Sequence, residues 1–248
     1  MIDAPAPEYA RVFADKYDAW FGASAMAADT VGLLTELAGP GPVLELGIGT
    51  GRIALPLREH GVDVHGVDGS AEMVASLRRK PGGSAVPITM GDFADVAAPG
   101  TFSLIYLASG TFFELSTQQD QLRCMHNVAR RLRPGGVFMF DAFLPEGLCR
   151  PAAAAERALP TANGDRVIRS RTLHRVTQGY TSHYSITTPE CVHRFDVSFR
   201  YAGMGELDLM AQLAGLQLRH RWGDWRRGPL TETSIYHVSC YEIGADHD

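Results

Sequence analysis

The chain has 248 residues, enough for one domain with an inserted lobe, and its 45% hydrophobic and 21% charged content excludes a disordered polypeptide. A formal net charge of −5 argues against nucleic acid as a partner. No apolar run nears the ~18 residues of a membrane span, so no membrane is expected. Cys124, Cys149, Cys191 and Cys240 are widely spaced without a C-x-x-C pair and read as reduced thiols. With no apolar h-region near its start, the chain is expected to be cytoplasmic.

In chain order, residues 1–40 are expected to form a helical lid. Tyr9, Val12, Phe13, Lys16, Tyr17 and Trp20 recur at helical spacing, Gly22 interrupts, and Met26, Val31, Leu34 and Leu37 predict a second helix. Strands are predicted at 43–46, 62–67, 86–90, 102–108 and 137–143, separated by helices at 52–60, 71–79 and 118–132. Ser70 is placed to cap the helix at 71. Alternation at this pace implies a doubly wound parallel sheet covered on both faces. The pattern changes after Pro145. Residues 148–160 are Ala- and Pro-rich and read as a loop or lid. Runs at 167–172, 180–187 and 193–201 read as an antiparallel meander, followed by a helix at 206–214 and strands at 216–222 and 235–243. The expected organisation is a core of 41–147 and 204–248 with a β subdomain inserted over 148–203.

The chemistry-bearing motif is Glu45-x-Gly47-x-Gly49-x-Gly51, between the first strand and the next helix. Glycines let the backbone turn and let a ligand touch it, and the helix N-terminus offers unpaired N–H groups. Asp68 follows Gly49 by 19 residues at the end of the second strand, where a carboxylate can accept ribose hydroxyls. A dinucleotide loop would be G-x-G-x-x-G, but position 52 is Arg52, which argues against an NAD-dependent oxidoreductase.

Glu45-Leu46-Gly47-Ile48-Gly49-Thr50-Gly51 instead resembles motif I of the class I S-adenosylmethionine (SAM)-dependent methyltransferases, which share a seven-stranded Rossmann-like sheet. Asp68-Gly69-Ser70-Ala71-Glu72-Met73, Gly91-Asp92-Phe93 and Leu132-Arg133-Pro134-Gly135-Gly136 resemble the family's later segments. The resemblance implies SAM as cofactor, with Gly47, Gly49 and Gly51 on the methionine part, Asp68 on ribose, and Met73, Asp92 and Phe93 at adenine. It also carries Tyr17, Glu45, Arg52 and Leu107 into the cofactor set, and it implies that the final strand is antiparallel. Residues 8–21 are similar to the N-methyltransferases of lincomycin- and celesticetin-type lincosamide assembly. That likeness implies a small-molecule amine substrate, methylated on a pyrrolidine nitrogen, and a homo-oligomer. An amino-sugar nucleotide is the alternative substrate, and a non-catalytic scaffold a further rival.

Candidate catalytic groups under this reading are Tyr9, Tyr17, Phe113 and Glu114. The two tyrosines share a face if the helix is continuous, and they either close over the site or pack on the core. Phe112 and Phe113 either wall an apolar pocket or pack in the core. Glu114 either orients the amine or is solvated, and Asp141 is a candidate for a structural hydrogen bond. His183 and His193 flank Cys191 without ligand spacing, so no metal is expected. Arg169 with Arg171 and Arg219 with Arg221 show strand alternation. They read as solvated faces, because an RNA module would need net positive charge.

Overall fold

The computed structural model describes residues 10, 13–22, 25–149 and 155–244. Strands β1 (Val43–Leu46), β2 (Val64–Asp68), β3 (Ile88–Met90), β4 (Phe102–Leu107), β5 (Leu132–Phe143), β10 (Leu216–Trp222) and β11 (Tyr236–Ile243) form one sheet in the order β10-β11-β5-β4-β1-β2-β3. Its first five strands are parallel; β11 runs antiparallel to β5 and to β10, as the resemblance implied. Strand order reverses between β1 and β4, the place where open α/β sheets leave a crevice at their carboxyl ends.

Period-two alternation sorts the buried side chains into two layers. Leu104, Tyr106, Val137 and Met139 face helices α2 (Ala25–Leu37), α3 (Ala54–Glu59) and α4 (Ala71–Arg78), through Leu34, Leu57 and Leu77. Ile105, Leu107, Phe138 and Phe140 face α5 (Gln118–Arg131) and α7 (Met204–Leu213), through Met125, Val128 and Met210. Helix α4 starts where Ser70 accepts a hydrogen bond from the Met73 N–H at 3.2 Å, the cap expected from sequence. The Arg-Pro-Gly-Gly turn is absorbed into β5. Phe102 pairs with Leu132 and Leu104 with Val137, so residues 133–136 bulge out of the ladder.

A second, antiparallel sheet holds β6 (Arg157–Leu159), β7 (Arg166–His174), β8 (Gly179–Thr187) and β9 (Val192–Arg200). The 148–160 stretch, expected to be irregular, thus contributes a strand, because residues 157–159 pair with Val167 to Arg169 of β7. A short helix, α6 (Pro145–Leu148), follows β5.

The N-terminal stretch is corrected as well. Helix α1 covers only Tyr17–Phe21, ends at Gly22, and follows a bend and turn at 13–16. The cause is tertiary. The Phe13 ring lies 5.4 Å from Trp20, 5.0 Å from His193 and 5.2 Å from Phe195, and those contacts outweigh continuing one helical face. Tyr9 lies outside the described residues, so the shared face of Tyr9 and Tyr17 does.

Phe112 is fully buried and stacks 4.6 Å from Phe140. Phe112→Ala is expected to cost about 3–5 kcal/mol. Urea denaturation reads this as a lowered midpoint at constant slope; an unchanged midpoint would place Phe112 outside the core.

Candidate active site

The glycine loop is held to the end of β2. The Gly47 and Ile48 N–H groups donate to the Val67 carbonyl at 2.8 and 3.1 Å. The Asp68 carboxylate then accepts from Gly49 N–H at 2.6 Å and from Ser70 N–H at 2.8 Å, so one side chain ties two loops together. Burial raises the Asp68 pKa, and these backbone donors oppose the shift. Gly47 has φ +73°, and a Cβ there would lie 2.9 Å from Thr111 Cγ2, so the close approach admits only glycine.

A cavity of about 510 Å³ opens between this loop and the ends of β2, β3 and β4. That is within the ~300–1,000 Å³ of small-molecule sites. Motif I contributes Glu45, Gly47, Gly49 and Arg52 to its wall; the end of β2 and the start of α4 contribute Asp68 and Met73. Asp92 and Phe93, which follow β3, and Tyr17 and Glu114 line it as well. Three sequence-derived positions lie away from the cavity wall. Gly51 does not line the cavity: with φ +77° and a virtual Cβ 2.8 Å from the Leu77 side chain, it serves helix packing. Leu107 and Phe113 are fully buried in the core layer beneath α5, and Ala108, Ser109 and Thr111 stand at the wall instead.

Glu45 pairs across the strands with Tyr106, whose hydroxyl donates to Glu45 Oε2 at 2.8 Å. Burial pushes the Glu45 carboxyl up to about 8, against the lowering effect of that hydrogen bond. Asp92 accepts from Ala94 N–H at 2.9 Å and from Arg123 Nη2 at 2.8 Å, and Arg123 also pairs with Asp95 and Asp120. Asp141 accepts from the Gly110 N–H at 3.2 Å, and burial raises it to about 6, so it braces the loop after β4. Burial pushes the Tyr17 phenol well above its ordinary range, so it stays protonated and is a hydrogen-bond donor rather than a base.

Sequence reasoning missed the attachment of α1. Asp18 accepts from the Thr50 hydroxyl at 2.5 Å and pairs with Lys80, whose ammonium also donates to the Thr50 carbonyl at 2.6 Å. Arg52 donates to the Ser109 hydroxyl. Neither link leaves a local pattern, since Thr50 lies 32 residues from Asp18 and 30 from Lys80, and Arg52 lies 57 from Ser109. Among the described residues no cluster of His, Cys, Asp and Glu is placed to hold a metal, and no helix is long and apolar enough to cross a membrane.

A glycine-rich loop, an acid ending β2 and a crevice at the switch point define a nucleotide-cofactor enzyme of the doubly wound class. A methyltransferase-domain family model matches residues 43–136. The solved CcbJ methyltransferase of Streptomyces caelestis is 32% identical, with 96% of this chain and 98% of that chain covered and a TM-score of 0.87. The dTDP-4-amino-2,3,4,6-tetradeoxy-D-glucose N,N-dimethyltransferase of Saccharopolyspora spinosa is 31% identical over 204 residues, 75% of this chain and 77% of the relative. The cypemycin N-terminal methyltransferase of a Streptomyces species is 28% identical over 217 residues, 85% and 89% respectively. The chain belongs to the SAM-dependent methyltransferases, which sets aside the NAD and scaffold alternatives.

The donor set is compatible with SAM: the glycine loop would cradle it, Glu45 would face its ammonium, Asp68 its ribose, and Asp92 with Met73 and Phe93 its adenine. Two predictions follow from this geometry. An ammonium beside Glu45 favours its carboxylate, so binding should expel a proton, and affinity should rise as pH climbs towards about 8. Calorimetry in buffers of different ionisation enthalpy reads the released proton; Glu45→Gln should abolish it, and equal release by both proteins would contradict the assignment. Asp18→Ala removes an attachment worth about 1 kcal/mol, so α1 should open roughly fivefold more often. Trypsin cleavage at Lys16 should accelerate accordingly, and an unchanged rate would show that Asp18 does not hold the helix.

Proposed function

We propose that this methyltransferase acts on the nitrogen of a small-molecule amine, and specifically on the pyrrolidine nitrogen of an N-demethyl lincosamide. The observation that carries this reading is that Tyr17 and Glu114 line the same cavity as the glycine loop. Two relatives named as N-terminal and N,N-dimethyl transferases support nitrogen as the acceptor.

SAM, when bound, supplies a methyl group already activated by its sulfonium. The chain's own task is to hold a neutral amine in line and to manage one proton. Glu114 accepts a hydrogen bond from the amine N–H, turning the lone pair towards the methyl carbon. The nitrogen–carbon bond forms as the carbon–sulfur bond breaks, and the surplus proton on nitrogen passes to Glu114 or to water. Tyr17, held protonated, donates its O–H and marks the boundary of the site. Positioning of this kind is worth about 7–11 kcal/mol in well-oriented intramolecular reactions.

An amino-sugar nucleotide is the second reading, favoured by the dTDP-sugar relative. Mass spectrometry with labelled SAM separates the two. The N-demethyl lincosamide should gain one labelled methyl; a product from the dTDP-amino sugar alone would overturn the substrate choice. Glu114→Gln should lower kcat/KM by about tenfold, the loss of one charge-assisted hydrogen bond of ~1.5 kcal/mol. A loss beyond ~10³-fold would make Glu114 an obligatory base.

A further inference from the structure

The acid that follows β3 is held by one helix. Arg123 and Asn127, one turn apart on α5, grip the turn of Phe93–Asp95. Arg123 Nη2 donates to Asp92 Oδ2 at 2.8 Å, Arg123 Nη1 pairs with Asp95, and Asn127 Nδ2 donates to the Ala94 carbonyl at 2.9 Å. The Ala94 N–H donates to Asp92 Oδ1 at 2.9 Å. Gly91 N–H, one residue earlier, donates to the Asp68 carbonyl at 3.0 Å. Each oxygen of the Asp92 carboxylate thus has one fixed donor, which sets its plane and leaves a lone pair on each for a ligand.

Arg123 does more than anchor this turn. Its Nη2 also donates to Asp120 Oδ1 at 2.9 Å, so one nitrogen joins two carboxylates. The start of α5 places that second acid. The Thr117 hydroxyl caps the helix, accepting from Asp120 N–H at 3.0 Å and donating to Asp120 Oδ2 at 2.6 Å. Asp92 and Asp120 both line the cavity; Arg123 does not, so it acts on a ligand only through them. Burial raises the Asp120 carboxyl, but the Thr117 hydroxyl and Arg123 outweigh it and hold it below the usual carboxylate range. An ionised carboxylate accepts hydrogen bonds and cannot donate. Without a cation between them, two neighbouring carboxylates favour taking up a proton, and the protonated one becomes a donor.

We propose that Arg123 is a positioning residue that sets the purine specificity of the cofactor site: by joining Asp92 and Asp120 through one guanidinium, it builds an acceptor-only wall that takes the amino group of adenine and rejects the keto group of hypoxanthine. The inference rests on the assignment of Asp92 to adenine and is independent of the amine substrate. An exocyclic amine donates to this wall. A keto oxygen at the same position sets lone pairs against lone pairs and leaves the acceptors unpaired.

Calorimetric titration of the full chain with S-adenosylhomocysteine and with S-inosylhomocysteine, its keto counterpart, reads the preference without turnover. The wild type should favour the adenine ligand by about tenfold or more, the worth of one charge-assisted hydrogen bond. Arg123→Gln should cut that ratio to about threefold or less, with the loss falling on the adenine ligand. Asn127→Ala loosens the same turn without touching either carboxylate, so it should weaken both ligands alike and keep the wild-type ratio. Arg123→Lys decides the matter if the glutamine variant does not fold. A single ammonium cannot hold both acids as a planar fork does, so its ratio should fall by about threefold. Equal binding of the two ligands by the wild type, an unchanged ratio in the folded Arg123 variant, or an equal fall of the ratio in Asn127→Ala would overturn the inference.

Discussion

The site depends on one buried carboxylate. Asp68 accepts hydrogen bonds from Gly49 and Ser70, and so fixes the glycine loop relative to the N-terminus of α4. Hydrogen bonds to a charged acceptor contribute about 1.5–3 kcal/mol each, and burial strengthens them by excluding competing water. The residue types around it follow from that geometry. Gly47 turns close to Thr111, Gly51 admits Leu77, and Ser70 both donates to Asp68 and caps the helix that carries Met73. The cofactor wall is a consequence of how two strand ends are joined.

Around this fixed centre the N-terminal helix acts as a bridge. On one side Asp18 is tied to Thr50 and Lys80 of the core. On the other, the Trp20 indole donates to Asp165 at 2.7 Å, and Ala162 N–H donates to the Ala19 carbonyl at 2.8 Å. Phe21 lies 5.1 Å from Tyr17 and 5.5 Å from Tyr184, carrying aromatic contact from the cavity to the second sheet. The core, the N-terminal helix and the second sheet are thus joined through Tyr17, Phe21 and Tyr184.

Much of this was legible in the sequence because it is local. The strand–glycine loop–helix order, the acid at position 68 and the Ser70 cap each occupy a few residues, and local chemistry dictates their form. The reversed last strand was legible only through resemblance. What failed were judgements about faces and distance. Alternation at Arg169 and Arg171 identifies a strand face, but not that the Arg171 guanidinium lies against the Phe143 and Tyr180 rings. The spacing of Tyr9 to Trp20 is helical, but Phe13 gains more from the second sheet than from continuing the helix. Leu107 and Phe113 are near the right strand end, yet their side chains point into the layer beneath α5. The Asp18–Thr50–Lys80 attachment had no sequence signal, since tertiary folding alone brings these three together.

The central claim is that Asp68 organises the cofactor site. Calorimetric titration of S-adenosylhomocysteine into the wild type and Asp68→Asn tests it most directly, with thermal unfolding followed alongside. A neutral amide cannot accept from the backbone N–H groups as a carboxylate does. The account predicts single-site binding by the wild type and a loss of about tenfold to a hundredfold in the variant, with cooperative unfolding retained. Equal affinity in the two proteins would contradict it.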